Sequence, residues 1–385
     1  MTIVYCIPQL YNAGGMERVL TQKANYLATL PDVHVTIVTT ELTPKGKPVS
    51  YFPIDKRIKV VELNIDFDAD FRAPLWRKYI NHQRKQRLYR QKLTDVLRDE
   101  FANICSSLCG KEIDWLWKVA FPCYKMAEVH FAMTQREQLL AQYHDNPFWR
   151  LLGRMRTRQL QQAVKRLDKL VVLTHADEKA WNKAGVKNTI CIPNPSSIEP
   201  NNSGEHERNE VLAVGRMHPQ KGFDMLLRIW QKVVAAHPDW TLRIVGEGEE
   251  REGLKVMVDA LGIARSVKMN GLSKDLRSDY QRCGLFVLSS RYEGLPLALM
   301  EAMSCGCCCV AFDCPNGPAE LIENGKTGML ISPDSTDSFA AEMNRLIDDK
   351  KARKQLGDAA YEHAKACFGL EPIMQQWLQL MRIEG

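Results

Sequence analysis

Short apolar runs alternate with longer helical stretches almost throughout the chain, which is the pattern of parallel βαβ units. In the first half, Ile3 to Ile7, Val33 to Thr39, Ile58 to Leu63, Met126 to His130, Leu170 to Thr174 and Thr189 to Ile192 read as strands. Around Asn194 to Arg208 the composition turns to Pro, Ser, Asn, Gly, Glu and Arg with few apolar residues, a linker signal. A second series then starts, with strands at Val211 to Val214, Leu242 to Val245, Val267 to Met269, Leu285 to Leu288, Cys308 to Phe312 and Met329 to Ile331. The last stretch, Leu370 to Ile383, reads as a helix carrying Ile373, Trp377, Leu380 and Met381. The predicted organisation is α/β: two doubly wound, Rossmann-like domains at 1–195 and 210–368, a linker at 196–209, and a helix at 369–385 packing back toward the first domain. Ligands of such sheets bind at the carboxyl ends of the strands, so the cleft between the two domains is the expected site.

Length agrees with two domains, since 385 residues are too many for one ordinary core. A hydrophobic fraction of 45% against 25% charged residues excludes a disordered chain. No run approaches the roughly 18 apolar residues of a membrane span, and the apolar start Thr2 to Pro8 lacks a basic leader, so it reads as a first buried strand and not as a signal peptide. The twelve cysteines include the adjacent Cys307, Cys308 and Cys309 within an apolar run, and no paired CxxC spacing suits zinc. Buried thiols in a reducing, cytoplasmic compartment are the simpler expectation.

The net charge of +6 is unevenly placed. Arg72, Arg77, Lys78, Arg84, Lys85, Arg87, Arg90, Lys92 and Arg98 face the single acid Asp95 over 27 residues, interleaved with Trp76, Tyr79, Ile80, Leu88 and Leu93. A second basic patch follows at Arg150, Arg154, Arg156, Arg158, Lys165 and Arg166. A solvated helical face is one reading and a helix lying on the inner, anionic face of the cell membrane is the other. Nucleic acid is disfavoured, because no nucleic-acid motif accompanies the charge.

Five features fall where a strand gives way to a loop or helix. Gly14 and Gly15 follow the first strand, where paired glycines admit close backbone approach and a helix start offers amides to an anion; a plain tight turn is the alternative. In Gly215-Arg216-Met217-His218-Pro219-Gln220-Lys221-Gly222, a guanidinium and an ammonium at a strand end suit a diphosphate. Val245-Gly246-Glu247-Gly248-Glu249-Glu250 resembles half a dinucleotide fingerprint, but Arg251 stands where a third glycine is needed and the stretch is acidic. A structural turn is preferred there, and a dehydrogenase disfavoured. In Glu293-Gly294-Leu295-Pro296-Leu297-Ala298-Leu299-Met300-Glu301, Gly294 permits a strained loop, Pro296 suits a first helical turn, and both carboxylates can accept bonds from sugar hydroxyls. A surface Glu and a capping Glu are the alternative. His130 closes a predicted strand of the first domain, and a structural and a functional role are both open for it.

Taken together, these residues resemble those of the retaining glycosyltransferase family 4, a family of group 1 glycosyltransferases with the GT-B fold of two facing Rossmann-like domains. The family's Glu, seven residues, Glu hallmark corresponds to Glu293 and Glu301 with Gly-Leu-Pro after the first, and its Arg/Lys diphosphate loop to Arg216 and Lys221. Gly14-Gly15 is similar to its N-terminal glycine loop and His130 to its histidine, and Asn316-Gly317-Pro318-Ala319-Glu320 with Asn324 to Gly328 is similar to a further stretch of many members. The resemblance spans essentially the whole chain and is strongest in the second domain; Phe52 to Trp117 departs most. It implies that Arg216 and Lys221 hold the donor diphosphate with help from the Gly14-Gly15 amides, and that backbone amides near Gly294, Leu295, Pro296 and Leu297 lie against the donor. It further implies that Glu301 binds the ribose diol, Glu293 the transferred sugar, and His130 that sugar from the other domain. No Asp-x-Asp motif sits where a divalent metal would bridge the phosphates, so no metal is expected, and no cofactor beyond a nucleotide-sugar donor, with uridine diphosphate the expected carrier. The implied acceptor is a glycan or lipid-linked glycan of a bacterial surface polysaccharide. The competing readings are an epimerase or phosphorylase on the same fold, and a non-catalytic protein that binds sugar nucleotides or a membrane surface.

Overall fold

A computed structural model of the chain describes every residue except 68–74, 109, 132, 134–146, 203, 316, 334 and 384–385, and within the helices all side chains except those at 75, 76, 78, 79, 147, 148, 150 and 383. Arg72 and Asn316 therefore lie outside the described residues, as do the side chains of Trp76, Lys78, Tyr79 and Arg150.

The chain forms two compact units, Met1–Ile192 with Met374–Gly385, and Pro193–Ile373. The first contains β1 (Thr2–Ile7), α1 (Gly15–Thr29), β2 (His34–Thr39), β3 (Lys59–Glu62), α2 (Leu75–Asp99), β4 (Ile104–Leu108), β5 (Tyr124–Val129), α3 (Pro147–Val164), β6 (Lys169–Val172), α4 (His175–Lys183) and β7 (Thr189–Cys191). Short 3-10 turns at Lys111–Asp114 and Leu116–Lys118 follow β4. The strands form one parallel sheet in the order β3-β2-β1-β4-β5-β6-β7. Central strands such as β1 and β4 are buried along nearly their whole length, because helices cover both faces of a parallel sheet. The core joins Tyr89, Leu93 and Leu97 of α2 to Trp115, Leu116 and Trp181.

Among the described residues β4 is the one strand that the apolar pattern does not predict, although it lies at the centre of the sheet. Its interior residues Ser106 and Ser107 interrupt the apolar run, yet both are fully buried. The Ser106 hydroxyl donates to Glu128 Oε1 at 2.9 Å and that of Ser107 to Glu112 Oε1 at 2.6 Å. Buried hydroxyls paired in this way avoid the cost of desolvation that would otherwise exclude them.

The second unit contains β8 (Arg208–Val214), α5 (Phe223–Ala236), β9 (Thr241–Val245), α6 (Arg251–Ala260), β10 (Val267–Lys268), α7 (Leu276–Arg282), β11 (Cys283–Leu288), α8 (Leu297–Ser304), β12 (Cys309–Phe312), α9 (Pro318–Leu321), β13 (Met329–Ile331), α10 (Thr336–Asp348) and α11 (Lys350–Phe368). Its parallel sheet runs β10-β9-β8-β11-β12-β13. Strand order therefore reverses between β1 and β4 in one unit and between β8 and β11 in the other, and such switch points are where open α/β sheets bind ligands. The final helix, α12 (Leu370–Ile383), crosses the boundary, and its residues from Met374 on belong to the first unit. There Trp377 is buried, with Lys23 Nζ 3.6 Å from its ring centroid.

The described residues of the polar stretch expected as a linker form no regular element before Arg208, but they are anchored to the second unit. Ser196 N donates to Phe368 O at 2.7 Å, Asn201 N donates to Ser304 O at 2.9 Å, and the His206 ring lies 3.0 Å from Cys305 O. These are carbonyls at the C-terminal ends of α8 and α11, which have no acceptor role left inside their own helices. The polarity read as a linker signal is partly helix capping. The eleven cysteines among the described residues are free thiols, most of them buried, which agrees with the reading against a disulfide scaffold.

Candidate active site

In the second unit the loops after β8 and β11 leave neighbouring strand ends on either side of the switch point, and they are fastened together. Lys221 Nζ donates to Glu293 Oε1 at 2.7 Å, with 19% and 6% of the two side chains exposed. Ser290 Oγ donates to the same oxygen at 2.5 Å, and no bond to Glu293 Oε2 is formed by the described residues. Around this pair, Ser289 Oγ donates to Lys221 O at 2.9 Å, Arg291 N to Gln220 O at 2.8 Å, and Gln220 Nε2 to Tyr292 O at 3.0 Å. Arg291 grips Asp224 through two parallel bonds of 2.8 and 2.7 Å, a geometry that resists rotation. Arg216, in the same loop as Lys221, is exposed and pairs with no carboxylate among the described residues. An ammonium has three donors, so Lys221 can keep Glu293 and still offer N–H groups to an anion beside Arg216.

Two glycines make this loop possible. Gly246 has φ +151, and a Cβ there would lie 1.9 Å from Gly215 O; a Cβ on Gly248 would lie 2.2 Å from Met217 O. The half-fingerprint is thus a backbone cradle for the Arg216–Lys221 loop, in keeping with a structural turn.

Glu301 sits in α8 and is almost fully buried. Tyr280 OH donates to its Oε2 at 2.9 Å and Ser197 Oγ to its Oε1. Burial and then the nearby Glu301 charge push Tyr280 well above the ordinary tyrosine value, so the hydroxyl stays protonated and donating. Each carboxylate oxygen can accept a second bond, which leaves Glu301 capacity for a diol. Pro296 stands one position before α8, as its N-cap, and not in its first turn. Gly294 and Pro296 are packed by Gly317, whose φ of +106 and 2.5 Å clearance from Gly294 O exclude a side chain. Leu295 is buried, and Leu297 opens α8, where Leu299 N and Met300 N already donate to Pro296 O at 3.1 Å and the Leu297 and Ala298 amides precede the helix's own acceptors.

The remaining expected residues lie in the first unit. Gly14 caps α1 and Gly15 begins it, but the Glu17 carboxylate folds back so closely that a Cβ on Gly14 would lie 2.0 Å from it. Burial raises Glu17 above the ordinary glutamate value. His130 follows β5, with Nε2 3.5 Å from Glu128 Oε2. Glu128 also accepts from the buried Lys23 ammonium at 2.5 Å. Burial alone lifts Glu128, but Lys23 and His130 outweigh it and hold the carboxyl at about 2. Burial lowers Lys23, and Glu128 offsets part of that. Ser197, Tyr280, Ser290 and the Lys23–Glu128 pair were not anticipated. Ser290 and Glu128 stood beside singled-out residues, Glu293 and His130; Ser197, Tyr280 and Lys23 depend on partners distant in sequence.

The geometry has counterparts in known proteins. Residues 196–363 match the family model described as glycosyl transferases group 1. Over that range, most of the second unit, the chain is similar to group 1 glycosyl transferases. The whole chain is similar to an uncharacterized glycosyltransferase of Haemophilus influenzae, 28% identical over 377 residues, 97% of this chain and 98% of that one. It is 35% identical over 222 residues to the amylovoran biosynthesis glycosyltransferase AmsD of Erwinia amylovora, 56% of this chain and 62% of the relative. It is 25% identical over 397 residues, 99% and 98% of the two chains, to a Campylobacter jejuni N-acetyl-D-galactosaminyltransferase acting on a diNAcBac-PP-undecaprenol glycan. Among solved structures, sucrose-phosphate synthase of Thermosynechococcus elongatus superposes with a TM-score of 0.81 at 19% identity, over 100% of this chain and 98% of that one. S. aureus TarM, solved as a mutant with fondaparinux, alpha-GlcNAc-glycerol and UDP, gives 0.79 at 17% identity over 99% of each chain. At these identities the likeness is one of fold, and the fold is the α/β GT-B type that the sequence resemblance implied. The epimerase and binding-protein alternatives gain no support from these likenesses.

Proposed function

We propose that the chain is a retaining, metal-independent glycosyltransferase that moves a sugar from a nucleoside diphosphate sugar, uridine-linked by expectation, to a glycan or lipid-linked glycan of a bacterial surface polysaccharide. The observation that carries this reading is the joined pair of loops at the β8/β11 switch point. There Lys221 and Arg216 offer cationic donors, and Glu293 presents an unused carboxylate oxygen beside them.

In this reading Arg216 and Lys221 stabilise the charge that grows on the leaving diphosphate, a task that preorganised donors perform in a water-poor site. Glu293 Oε2 accepts from hydroxyls of the transferred sugar, and Glu301 from the ribose diol. His130 contributes to holding the sugar, and the Gly14-Gly15 amides add to the diphosphate contacts once Glu17 yields. No side chain is assigned as a covalent nucleophile: the bond from the anomeric carbon to the diphosphate breaks, the acceptor oxygen bonds to that carbon on the same face, and a phosphate oxygen of the departing diphosphate takes the acceptor hydroxyl's proton. The named activities of the amylovoran and undecaprenol-linked relatives support the acceptor class.

Attachment to an anionic membrane face belongs to the same proposal. No helix among the described residues is long and apolar enough to cross a membrane. α2 instead exposes Ile80 and Leu88 beside Arg77 and Arg84, and α3 exposes Leu151 and Met155 beside Arg154 and Arg158. Helices of that composition lie in an interface. The deciding experiment offers the protein a panel of nucleoside diphosphate sugars with and without lipid-linked acceptors. Release of one nucleoside diphosphate, with the donor's anomeric configuration kept in the product, supports the proposal; a configuration change refutes retention, and no turnover with any donor refutes the transferase reading.

A further inference from the structure

A cavity of about 260 Å³ opens on the first unit between α2 and the two 3-10 turns that follow β4. Gln83, Gln86, Arg87, Arg90, Trp115 and Lys118 line it. The four α2 residues fall at i, i+3, i+4 and i+7, one stripe of the helix. Their placement is held from beneath by Tyr89, which is fully buried, donates to Glu112 Oε2 at 3.0 Å and meets the Trp115 ring edge-on at 5.0 Å. Glu112 and Ser107 complete that support at 2.6 Å. The turn carrying Trp115 and Lys118 is thereby fixed to the helix carrying the arginines, which sets the backbone positions from which the exposed Arg87, Arg90 and Lys118 side chains reach the cavity.

Its chemistry is one-sided. Three cations and two carboxamides meet there, and no carboxylate is among the lining residues. The indole N–H of Trp115, a donor with no acceptor role, is buried without a hydrogen-bond partner among the described residues, although buried donors are nearly always paired. The surrounding field is positive as well: burial first, and then Lys111 and Arg156, push the neighbouring His82 below the ordinary histidine value. His82 is 2.9 Å from Gln86, so this field reaches the lining itself. None of these groups belongs to the donor-binding loops of the second unit.

We propose that this cavity is an anion site for a phosphate-bearing group, with Arg87, Arg90 and Lys118 as its cationic contacts and Gln83 and Gln86 as neutral donors. Guanidinium pairs match phosphate oxygens bidentately, and the ammonium adds a point charge. The site lies at the carboxyl end of β4, one strand from the end of β5 that carries His130. The phosphate group can come from a lipid headgroup or lipid diphosphate, or from a free phosphate ester. The site depends neither on the donor assignment nor on general adhesion of the basic helices to a membrane.

The test uses the full-length protein and two probes, pyrophosphate by titration calorimetry and phosphatidylglycerol vesicles by co-sedimentation. Wild type is compared with Arg87→Gln/Arg90→Gln, with Lys118→Gln, and with the donor-loop variant Arg216→Ala/Lys221→Ala; circular dichroism verifies folding of each. Under the proposed function pyrophosphate also binds the donor loop, so the donor-loop variant is the background for calorimetry. Adding the α2 double change or Lys118→Gln to it is expected to weaken the remaining pyrophosphate binding, or in the wild-type background vesicle binding, at least tenfold. Weakened pyrophosphate binding with unchanged vesicle binding points to a free phosphate ester. Weakened vesicle binding that pyrophosphate also displaces in wild type points to a lipid phosphate. Folded α2 and Lys118 variants that bind both probes as their backgrounds do overturn the site.

Discussion

Lys221 offers the sharpest separation of a structural from a chemical role. Its ammonium lies 2.7 Å from Glu293 Oε1, and both side chains are largely buried. Lys221→Met keeps the aliphatic stem that lies 3.2 Å from the Cβ position of Gly215, but it strands the Glu293 carboxylate with Ser290 as its remaining donor. Breaking a buried pair on one side costs about 3 kcal/mol, at the lower end of the usual range because Lys221 is 19% exposed. For a domain of this size that is roughly a 6–12 °C fall in the unfolding midpoint. Adding Glu293→Gln removes the stranded charge, so the double variant is expected to recover at least half of the loss. Turnover behaves differently under the proposed function. Loss of a preorganised cation at the leaving diphosphate lowers kcat by at least about 100-fold, and Glu293→Gln supplies no new cation. Calorimetric scanning gives the stabilities, and nucleoside diphosphate release gives the rates. Turnover that returns in the double variant together with stability would refute the argument, since the lysine's effect would then be entirely structural. A single variant with unchanged stability would refute the buried-pair reading.

Three further outcomes are expected. Activity should persist after exhaustive EDTA treatment, because the two cations take the electrostatic role; a loss that manganese or magnesium restores would falsify metal independence. Glu128 is held at about 2 in the folded state against an ordinary 4.5, so its contribution is complete above the ordinary value and disappears as pH falls from there toward 2. That contribution is at most about 3 kcal/mol, and Glu128→Gln should flatten this acid limb in urea midpoints measured from pH 6 to 2.5; equal slopes would contradict it. Binding to anionic vesicles should weaken with salt and in Arg77→Glu/Arg84→Glu, both residues lying outside the cavity; equal recovery from neutral and anionic vesicles would end the membrane reading.

Much of the fold was already written in local pattern. The runs that became β1, β8, β11 and β12 contain continuous apolar segments, and a segment buried on both faces carries that mark wherever it sits in the chain. The Glu293 to Glu301 stretch was legible for the same reason: a glycine, a proline and two carboxylates at short spacing define a loop entering a helix without reference to anything distant. Tertiary structure alone decided the rest, because a buried polar group is tolerable only beside a partner that the chain brings from elsewhere. Ser106 and Ser107 concealed a central strand until Glu128 and Glu112 were placed against them. Lys23, 105 residues from Glu128, became a core residue, and Trp377 closed over it from the far end of the chain. Lys221 and Glu293, 72 residues apart, met because strand order reverses between β8 and β11. Periodicity records which residues leave water; which of the charged ones face each other is set by sheet order, and no local pattern carries that.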